Sequence, residues 1–336
     1  MKKIFFSILV VIIIPFSAFS QQKNITEAVF LYEETNSIKN PGENASEAEL
    51  KTYENEVITK LTGSKEYIDL ASNSESTSNH PKMWVYRGVI YLKIAQTQQK
   101  IGVIIDQDAI FKATESFLRC TEKDEEGEIS VIKKIRRKYY AEEQVFEALV
   151  RCGFVLFNTA ADEYSAGNYK KALKLYNNIF PIIDVDKEGL LKANNISKLS
   201  ITSNSVLVAQ AMKDNDLSKK LLLTLLNDSG NADPMPYVRM SKILLEEGDN
   251  NGALKYLSEA REKFPDDESS RIAEINLYIQ LGRTDELIKK ITAAIDSDPN
   301  NDVFYAIRAN CYQSSNMLQE AISDYNNALK INPENT

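Results

Sequence analysis

Residues 320–333 read EAISDYNNALKINP, the pattern of an amphipathic helix that runs into an Asn-Pro turn. Two earlier stretches have the same form, GALKYLSEAREKFP ending at Pro265 and ELIKKITAAIDSDP ending at Pro299. With Pro333, these prolines are spaced by a constant 34 residues. Because proline cannot continue a helix, each one marks the end of a unit. The sequence therefore predicts three copies of one helical repeat.

The three copies also agree at positions before the proline. Equivalent places hold Ala253, Leu287 and Ala321, then Leu257, Ile291 and Tyr325, then Ala260, Ala294 and Ala328. A second helix precedes this one in each copy, and the turn between the two holds Gly248, Gly282 and Asn316. Glycine and asparagine both tolerate the left-handed backbone that ends many helices. These positions are predicted to be the turns of helical hairpins.

These residues resemble tetratricopeptide repeats, whose 34-residue unit is a pair of antiparallel helices. Upstream, WVYRGVIYL places Trp84, Gly88 and Tyr91 where that family's pattern has them, with Arg87 in place of a leucine. A further match is FNTAADEYSAGNYKKALKLYNNIFP, which ends at Pro181. The resemblance implies an all-α fold, an α-solenoid of antiparallel helix hairpins.

The N-terminal sequence and the resemblance together divide the chain into segments. They are a signal peptide at 1–20, an N-terminal helical segment or cap at 21–75, a repeat with an insertion at 76–125, a repeat with a long first helix at 126–185, a degenerate helical repeat at 186–232, and three regular repeats at 233–266, 267–300 and 301–334. The insertion lies around QTQQKIGVIIDQD and is expected to lengthen a helix and its loop. We expect the N-terminal segment to pack as a preceding hairpin or cap.

The N-terminus reads MKKIFFSILVVIIIPFSAFSQQ, with two lysines, an apolar run and small residues before Gln21. This is the layout of a secretory signal peptide. The apolar run is shorter than the roughly 20 residues that a membrane-spanning helix needs, although an uncleaved anchor is the alternative. We predict an exported bacterial protein, periplasmic or associated with the outer membrane, with no integral membrane segment after signal cleavage.

Charge and composition argue against a nucleic-acid partner. The formal net charge is −8, and an acidic chain repels nucleic acid and anionic lipid. The basic run from Lys133 to Lys138 follows the acidic EKDEEGE, which cancels its field. Ile132, Ile135 and Tyr139 have helical spacing, which would leave the basic residues on a solvated face, with Lys138 paired to Glu142. A docking patch for an acidic partner or a lipid headgroup is the alternative.

Residues typical of catalysis are scarce. The one histidine, His80, lies in a turn before Pro81 and is expected to be an exposed loop or cap residue. No glycine-rich nucleotide loop occurs, and no zinc-type spacing is present. Cys120, Cys152 and Cys311 are expected to be small buried hydrophobes, with a Cys120–Cys152 bridge left open. The sequence predicts no enzyme activity, no cofactor and no metal.

A binding surface is implied by the resemblance, because in that family the first helix of each hairpin lines a concave groove that takes peptides. It places the polar residues Asn158, Arg239, Lys242, Asn276 and Asn310 on that face, together with Ala161, Ile272 and Ile307. The Lys and Asn clamp that some members use for a C-terminal carboxylate is not reproduced. Arg239 and Lys242, one turn apart, could meet an acidic group. Ordinary solvated polar residues are the alternative.

The leading functional hypothesis is a non-catalytic protein–protein interaction scaffold of the bacterial cell envelope. It would bind a protein or peptide through the concave groove or its terminal faces. The alternative is a structural or assembly module of a longer repeat protein or an oligomeric envelope complex. The helix bearing Ala321, Tyr325 and Ala328 would then stack on further repeats or on a second copy, because a repeat array must shield its terminal apolar face. An enzyme with an unrecognised acidic pair and a nutrient-capture protein are weaker hypotheses.

Overall fold

The computed structural model describes residues 16–42, 44–78, 80–136 and 142–334. The helices, in chain order, are α1 (Phe16–Ser37), α2 (Glu47–Ser72), α3 (Pro81–Ile101), α4 (Ala109–Leu118), α5 (Lys133–Arg136), α6 (Glu142–Ser165), α7 (Tyr169–Asn177), α8 (Phe180–Ile183), α9 (Leu190–Ala193), α10 (Lys198–Ala211), α11 (Asn215–Leu226), α12 (Met235–Glu246), α13 (Asn250–Lys263), α14 (Glu268–Gln280), α15 (Thr284–Ser297), α16 (Asp302–Ser314) and α17 (Leu318–Ile331). Two short strands, β1 (Thr121–Lys123) and β2 (Ile129–Val131), complete the secondary structure. The predicted all-α fold class is confirmed.

The chain separates into two units, Met1–Asn204 and Ser205–Thr336, each with its own packing. Residues 1–15 of the predicted signal peptide lie outside the described residues, and residues 16–20 belong to α1. Where the structure describes the chain, no helix is both long and apolar enough to cross a membrane.

The first unit contains the hairpins α1/α2, α3/α4 and α6/α7. Residues 21–75, which were predicted to be a hairpin or a cap, contain most of α1 and all of α2. Residues 126–185, which were predicted to have a long first helix, contain α6 with its 24 residues. The predicted insertion lengthens α3 to 21 residues and adds the loop before α4. Gly88 explains the close approach in this hairpin, because a Cβ added there would lie 2.8 Å from the Phe117 ring. The helix pair needs glycine at that position.

The stretch before Ile132 forms a β-hairpin, which the sequence analysis did not predict. The acidic EKDEEGE stretch forms the end of β1 and the turn of an antiparallel β-hairpin, in which Glu122 pairs with Ser130. Gly127, with φ of +83°, allows that turn. Residues 133–136 of the basic run form α5, in which Ile135 is buried, and Arg136 pairs with Glu142 at 3.0 Å. Tyr139 and Lys138 lie outside the described residues.

The second unit contains the hairpins α12/α13, α14/α15 and α16/α17, which are the three predicted regular repeats. Each hairpin packs on the next, since α13 contacts α14 and α15 contacts α16. The core between them consists of the repeat residues, including Ala253, Leu257, Leu287 and Ile291, with Tyr278 from a first helix. These are positions that the 34-residue alignment predicts to be equivalent. The periodicity therefore identified the core of this unit.

The three cysteines are buried and free, so no Cys120–Cys152 bridge forms. Burial raises the pKa of the Cys120 and Cys152 thiols to about 12 and that of Cys311 to about 11. The thiols are therefore protonated at neutral pH and poorly nucleophilic. Their predicted role as small hydrophobic residues is confirmed. His80 is the residue that precedes α3, as the cap interpretation predicts.

The turns inside the hairpins of the second unit share one geometry. Gly248, Gly282 and Asn316 have φ values of +84°, +66° and +59°, as the sequence predicts. In each case the next residue donates its backbone N–H to a carbonyl five residues earlier, such as Asp249 to Leu244 at 2.8 Å. This is the Schellman arrangement that closes a helix C-terminus. The degenerate repeat has the same turn, but Lys213 occupies the left-handed position with φ of +57°.

Replacing Lys213 with glycine is expected to stabilise the protein by about 0.5–1 kcal/mol. A side chain in the left-handed region costs about 1–2 kcal/mol, and the extra freedom of glycine in the unfolded chain offsets part of the gain. Denaturant unfolding measures the change. The reciprocal control is Gly248→Ala, where the added Cβ would meet open space; it should lose about 1 kcal/mol. If the Lys213→Gly protein were less stable than the wild type, the claim that the left-handed backbone at this position costs stability would be contradicted.

Candidate functional site

A cleft in the second unit brings two of the predicted binding residues together. It lies where the end of α10 and the start of α11 meet α12, and its volume is about 640 Å³. Arg239 and Lys242 are one turn apart on α12 and both line it. Lys213, from the strained turn after α10, lines the cleft as well. We call this site the α12 cleft.

The α12 cleft is basic. Lys213, Arg239 and Lys242 face a single carboxylate, that of Glu246, in a chain of formal net charge −8. Across the described ranges, neither Lys213 nor Lys242 is in a salt bridge. Local positive charge that the protein itself does not neutralise attracts an acidic group.

The Arg239 guanidinium is held in place by the neighbouring helix. Its Nη1 donates to Oε1 of Gln210 at 2.6 Å, and the side chain is half-buried. Because Gln210 is neutral, the bond orients the guanidinium without cancelling its charge. An oriented arginine can bind a carboxylate through two parallel hydrogen bonds, which is the strong form of this interaction.

Apolar side chains line the same cleft. Met235, Val238 and Ile243 come from successive turns of α12, so one helix supplies both the charged and the apolar contacts. Ligand sites commonly combine an apolar surface with a few charged groups that fix orientation. The arrangement suits a segment that carries an acidic residue beside an apolar one.

The other predicted site residues lie elsewhere. Asn276 on α14 and Asn310 on α16 are exposed but do not line the α12 cleft. The Asn310 side chain already accepts a hydrogen bond from the Tyr325 hydroxyl at 2.6 Å. Ile307, expected on the open face, is buried among core residues. The prediction that it lies on that face is therefore wrong, because its apolar side chain packs between hairpins.

Asn158 and Ala161 are exposed on α6 in the first unit, and Ile272 is exposed on α14 in the second. Sequence reasoning missed Gln210 and Lys213, because the degenerate repeat lacks the glycine and alanine pattern that sets the alignment. The spacing of the turns could have indicated Lys213, because it lies one residue from the position at which the regular repeat predicts a hairpin turn.

A second, smaller cavity of about 230 Å³ lies around Glu274. The Glu274 side chain is buried, with Arg261 Nη1 at 3.4 Å and Lys290 Nζ at 3.9 Å. A hydrogen bond with Tyr278 and the Glu274 charge raise the pKa of Lys290, although burial opposes the shift. The carboxylate is compensated by two cations and acts as a structural ion cluster. Within the described residues, no group of His, Cys, Asp or Glu is arranged to hold a metal ion.

Comparison with known families agrees with the hairpin geometry. Two family models, each described as a tetratricopeptide repeat, match residues 244–311 and 303–335. The chain therefore contains tetratricopeptide repeats within residues 244–335. Such repeats are in general non-catalytic modules, and they serve as protein–protein interaction scaffolds that bind protein or peptide partners. No curated protein has a significantly similar sequence.

Several solved structures of tetratricopeptide-repeat proteins are similar to this chain at low identity. YrrB, a TPR protein with an unusual peptide-binding site, is 17% identical, with 58% of this chain and 94% of that chain covered and a TM-score of 0.34. A tetratricopeptide repeat protein from Parabacteroides merdae is 12% identical over 92% of this chain and 95% of that chain, with a TM-score of 0.30. Yeast Tom70 is 11% identical, with 94% of this chain and 67% of that chain covered and a TM-score of 0.33.

Proposed function

We propose that this protein is an exported, non-catalytic scaffold of the bacterial cell envelope. In this proposal it binds an acidic, partly apolar segment of a partner protein in the α12 cleft. The observation that carries the proposal is the cluster of Lys213, Arg239 and Lys242 beside Met235, Val238 and Ile243. A cleft of this charge in an acidic chain selects an acidic ligand, because the rest of the surface repels one.

Reversing the charge of Arg239 and Lys242 together, as Arg239→Glu/Lys242→Glu, should weaken binding of an acidic peptide at least roughly tenfold, or about 1.4 kcal/mol. The probe is a fluorescently labelled peptide of alternating Glu and Leu, followed by fluorescence anisotropy. The same peptide with Gln in place of Glu should bind the wild-type protein weakly. Added salt should reduce the difference between the two peptides, because the contribution is electrostatic.

The matched control is Lys289→Glu, an exposed lysine on α15 that lines neither described cavity in this unit. It makes the same change at one position without touching the α12 cleft, so the affinity should remain close to that of the wild type. If Lys289→Glu weakened peptide binding as much as Arg239→Glu alone or Lys242→Glu alone, the change in affinity would reflect only the net charge of the protein. That result would overturn the assignment of the cleft.

The partner itself can be captured in the native bacterium. A photoreactive residue at position 242 should crosslink to one specific protein, whereas the same residue at 289 should not. Residues 1–20 support the exported location, and mass spectrometry of the protein from the cell envelope should find a chain that begins near Gln21. Retention of Met1–Ser20 in a cytoplasmic protein would contradict the location and leave the cleft proposal standing.

A further inference from the structure

Helix α17 carries an apolar stripe that the described residues of its unit leave largely exposed. Leu318, Ile322 and Leu329 are 55%, 61% and 44% exposed, and Tyr325 between them is half-buried. We call these four residues the α17 stripe. Their spacing of four, three and four residues places them on one face of a helix. This spacing is that of a seam between two packed helices.

The preceding repeat shows what this face does when it is covered. Ile322, Tyr325 and Leu329 are equivalent to Ile288, Ile291 and Ile295 of α15, 34 residues earlier. Ile291 and Ile295 are buried in the core, and Ile288 is partly buried against it, where α16 packs on α15. By its equivalence within this chain, the α17 stripe is therefore a surface suited to packing against another helix.

The symmetry of the stripe favours the α17 of a second copy as its partner. The stripe is symmetric about the midpoint between Ser323 and Asp324, so an antiparallel copy sets Leu318 against Leu329 and Ile322 against Tyr325. An isologous, two-fold contact of this kind is the commonest form of self-association.

The charges of α17 do not oppose this pairing. Glu320, Asp324 and Lys330 lie roughly a quarter turn or more from the stripe, at about 100° per residue. Asp324 is also buried and paired within its own chain. The stripe is flanked on its open side by Gln319 and Asn326, which are neutral. Like charges therefore do not meet across an antiparallel pair.

We propose that two copies of this protein associate through antiparallel packing of their α17 stripes. The contact is independent of the α12 cleft and leaves it open in each copy. A two-fold pair would present two binding clefts on one particle. Because a single helix pair buries less than a standard interface, the dimer should be weak and concentration-dependent.

Sedimentation equilibrium of the full chain over the micromolar range tests the association. The wild type should fit a monomer–dimer equilibrium, and Ile322→Asp should remain monomeric, since the dimer would bury an unpaired charge. The control is Ser323→Asp, an exposed neighbour that points away from the stripe and should leave the equilibrium unchanged. Circular dichroism verifies that each variant is folded. A monomeric wild type, or a dimer that survives Ile322→Asp, would overturn the proposal.

Disulfide trapping tests the antiparallel geometry. A mixture of Leu318→Cys and Leu329→Cys proteins should oxidise to the mixed dimer in preference to either homodimer. The native cysteines do not interfere, because all three are buried. Preferential formation of the Leu318→Cys homodimer would indicate a parallel pair and contradict the symmetry argument. A mixed dimer lost in the Ile322→Asp background would assign the contact to the stripe.

Discussion

Replacing Asp324 with alanine should destabilise the α16/α17 hairpin by about 3–5 kcal/mol, the loss expected when one partner of a buried ion pair is removed. The Asp324 carboxylate accepts hydrogen bonds from Nε and Nη2 of Arg308 at 2.6 and 2.9 Å. The two side chains are only 5% and 16% exposed. Without the carboxylate, the guanidinium would remain in the interior with its charge uncompensated.

The rest of the Arg308 environment cannot compensate for that loss. Its Nη1 donates to Thr292 Oγ1 at 3.0 Å, and its guanidinium lies 5.8 and 5.9 Å from the centres of the Tyr305 and Tyr312 rings. These contacts hold the group in place but are neutral. The hydrogen bond with Asp324 is the main reason that the pKa of Arg308 is raised, so the group remains charged. Asp324→Asn, which keeps an acceptor, should lose less stability than Asp324→Ala.

Hydrogen exchange with mass spectrometry measures the loss of stability in each part of the chain separately. Stability in a repeat protein is close to a sum of repeat and neighbour terms, so peptides from 302–331 should lose protection while those from 235–263 retain it. Glu286→Ala is the control. It breaks the Arg283–Glu286 pair, with Glu286 53% exposed, and should leave the protection of all these peptides close to that of the wild type, because exposed ion pairs contribute little to stability. Unchanged protection of α16 and α17 in Asp324→Ala would show that the buried pair contributes no net stability.

The regular repeats could be predicted because their signals are local and repeated. A proline at a fixed period, a glycine or asparagine in each turn and small residues at equivalent positions each have one physical cause, and the copies verify one another. Gly248, Gly282 and Asn316 all adopt the positive φ that their residue types predict. The β-hairpin at 121–131 has no second copy, so its short strands and single Gly127 gave no comparable signal.

The α12 cleft was predictable only in part. The resemblance implied that Arg239 and Lys242 lie on the binding face, and helical spacing adds that the two share it, because neighbours one turn apart lie on the same side of a helix. Lys213 and Gln210 reach the cleft through the turn of the degenerate repeat, where sequence similarity to the other copies is lost. The prediction that Ile307 lies on the surface was wrong. Alignment with the repeat pattern assigns a residue to a face of its helix, but it does not show how closely the neighbouring hairpin packs against that face. Contacts between helices distant in sequence decide such positions.

Arg87 is the clearest case of a departure that only the structure explains. The repeat pattern has leucine there, yet the Arg87 side chain is nearly buried, with Nη1 3.1 Å from Ser116 Oγ and Nη2 3.4 Å from Asp69 Oδ1. Its guanidinium also lies 4.8 Å from the centre of the Tyr91 ring. At this position between the two helices, Arg87 takes part in a polar network, where the leucine of the repeat pattern would make an apolar contact. Asp69 is the acceptor on which that network depends.

Asp69→Ala should therefore destabilise the first unit by about 2–4 kcal/mol, because it leaves both a buried hydroxyl and a buried cation without their acceptor. The Tyr91 hydroxyl, on a fully buried side chain, donates to Asp69 Oδ2 at 2.6 Å. Burial and this hydrogen bond raise the pKa of Tyr91, so it remains a donor at neutral pH. Denaturant unfolding, with hydrogen exchange of α2 and α3, measures the loss. Glu66→Ala, an exposed residue of the same helix, should change stability by under about 0.5 kcal/mol. If Asp69→Ala were no more destabilising than Glu66→Ala, the network would be dispensable, and Arg87→Leu should then be tolerated as well.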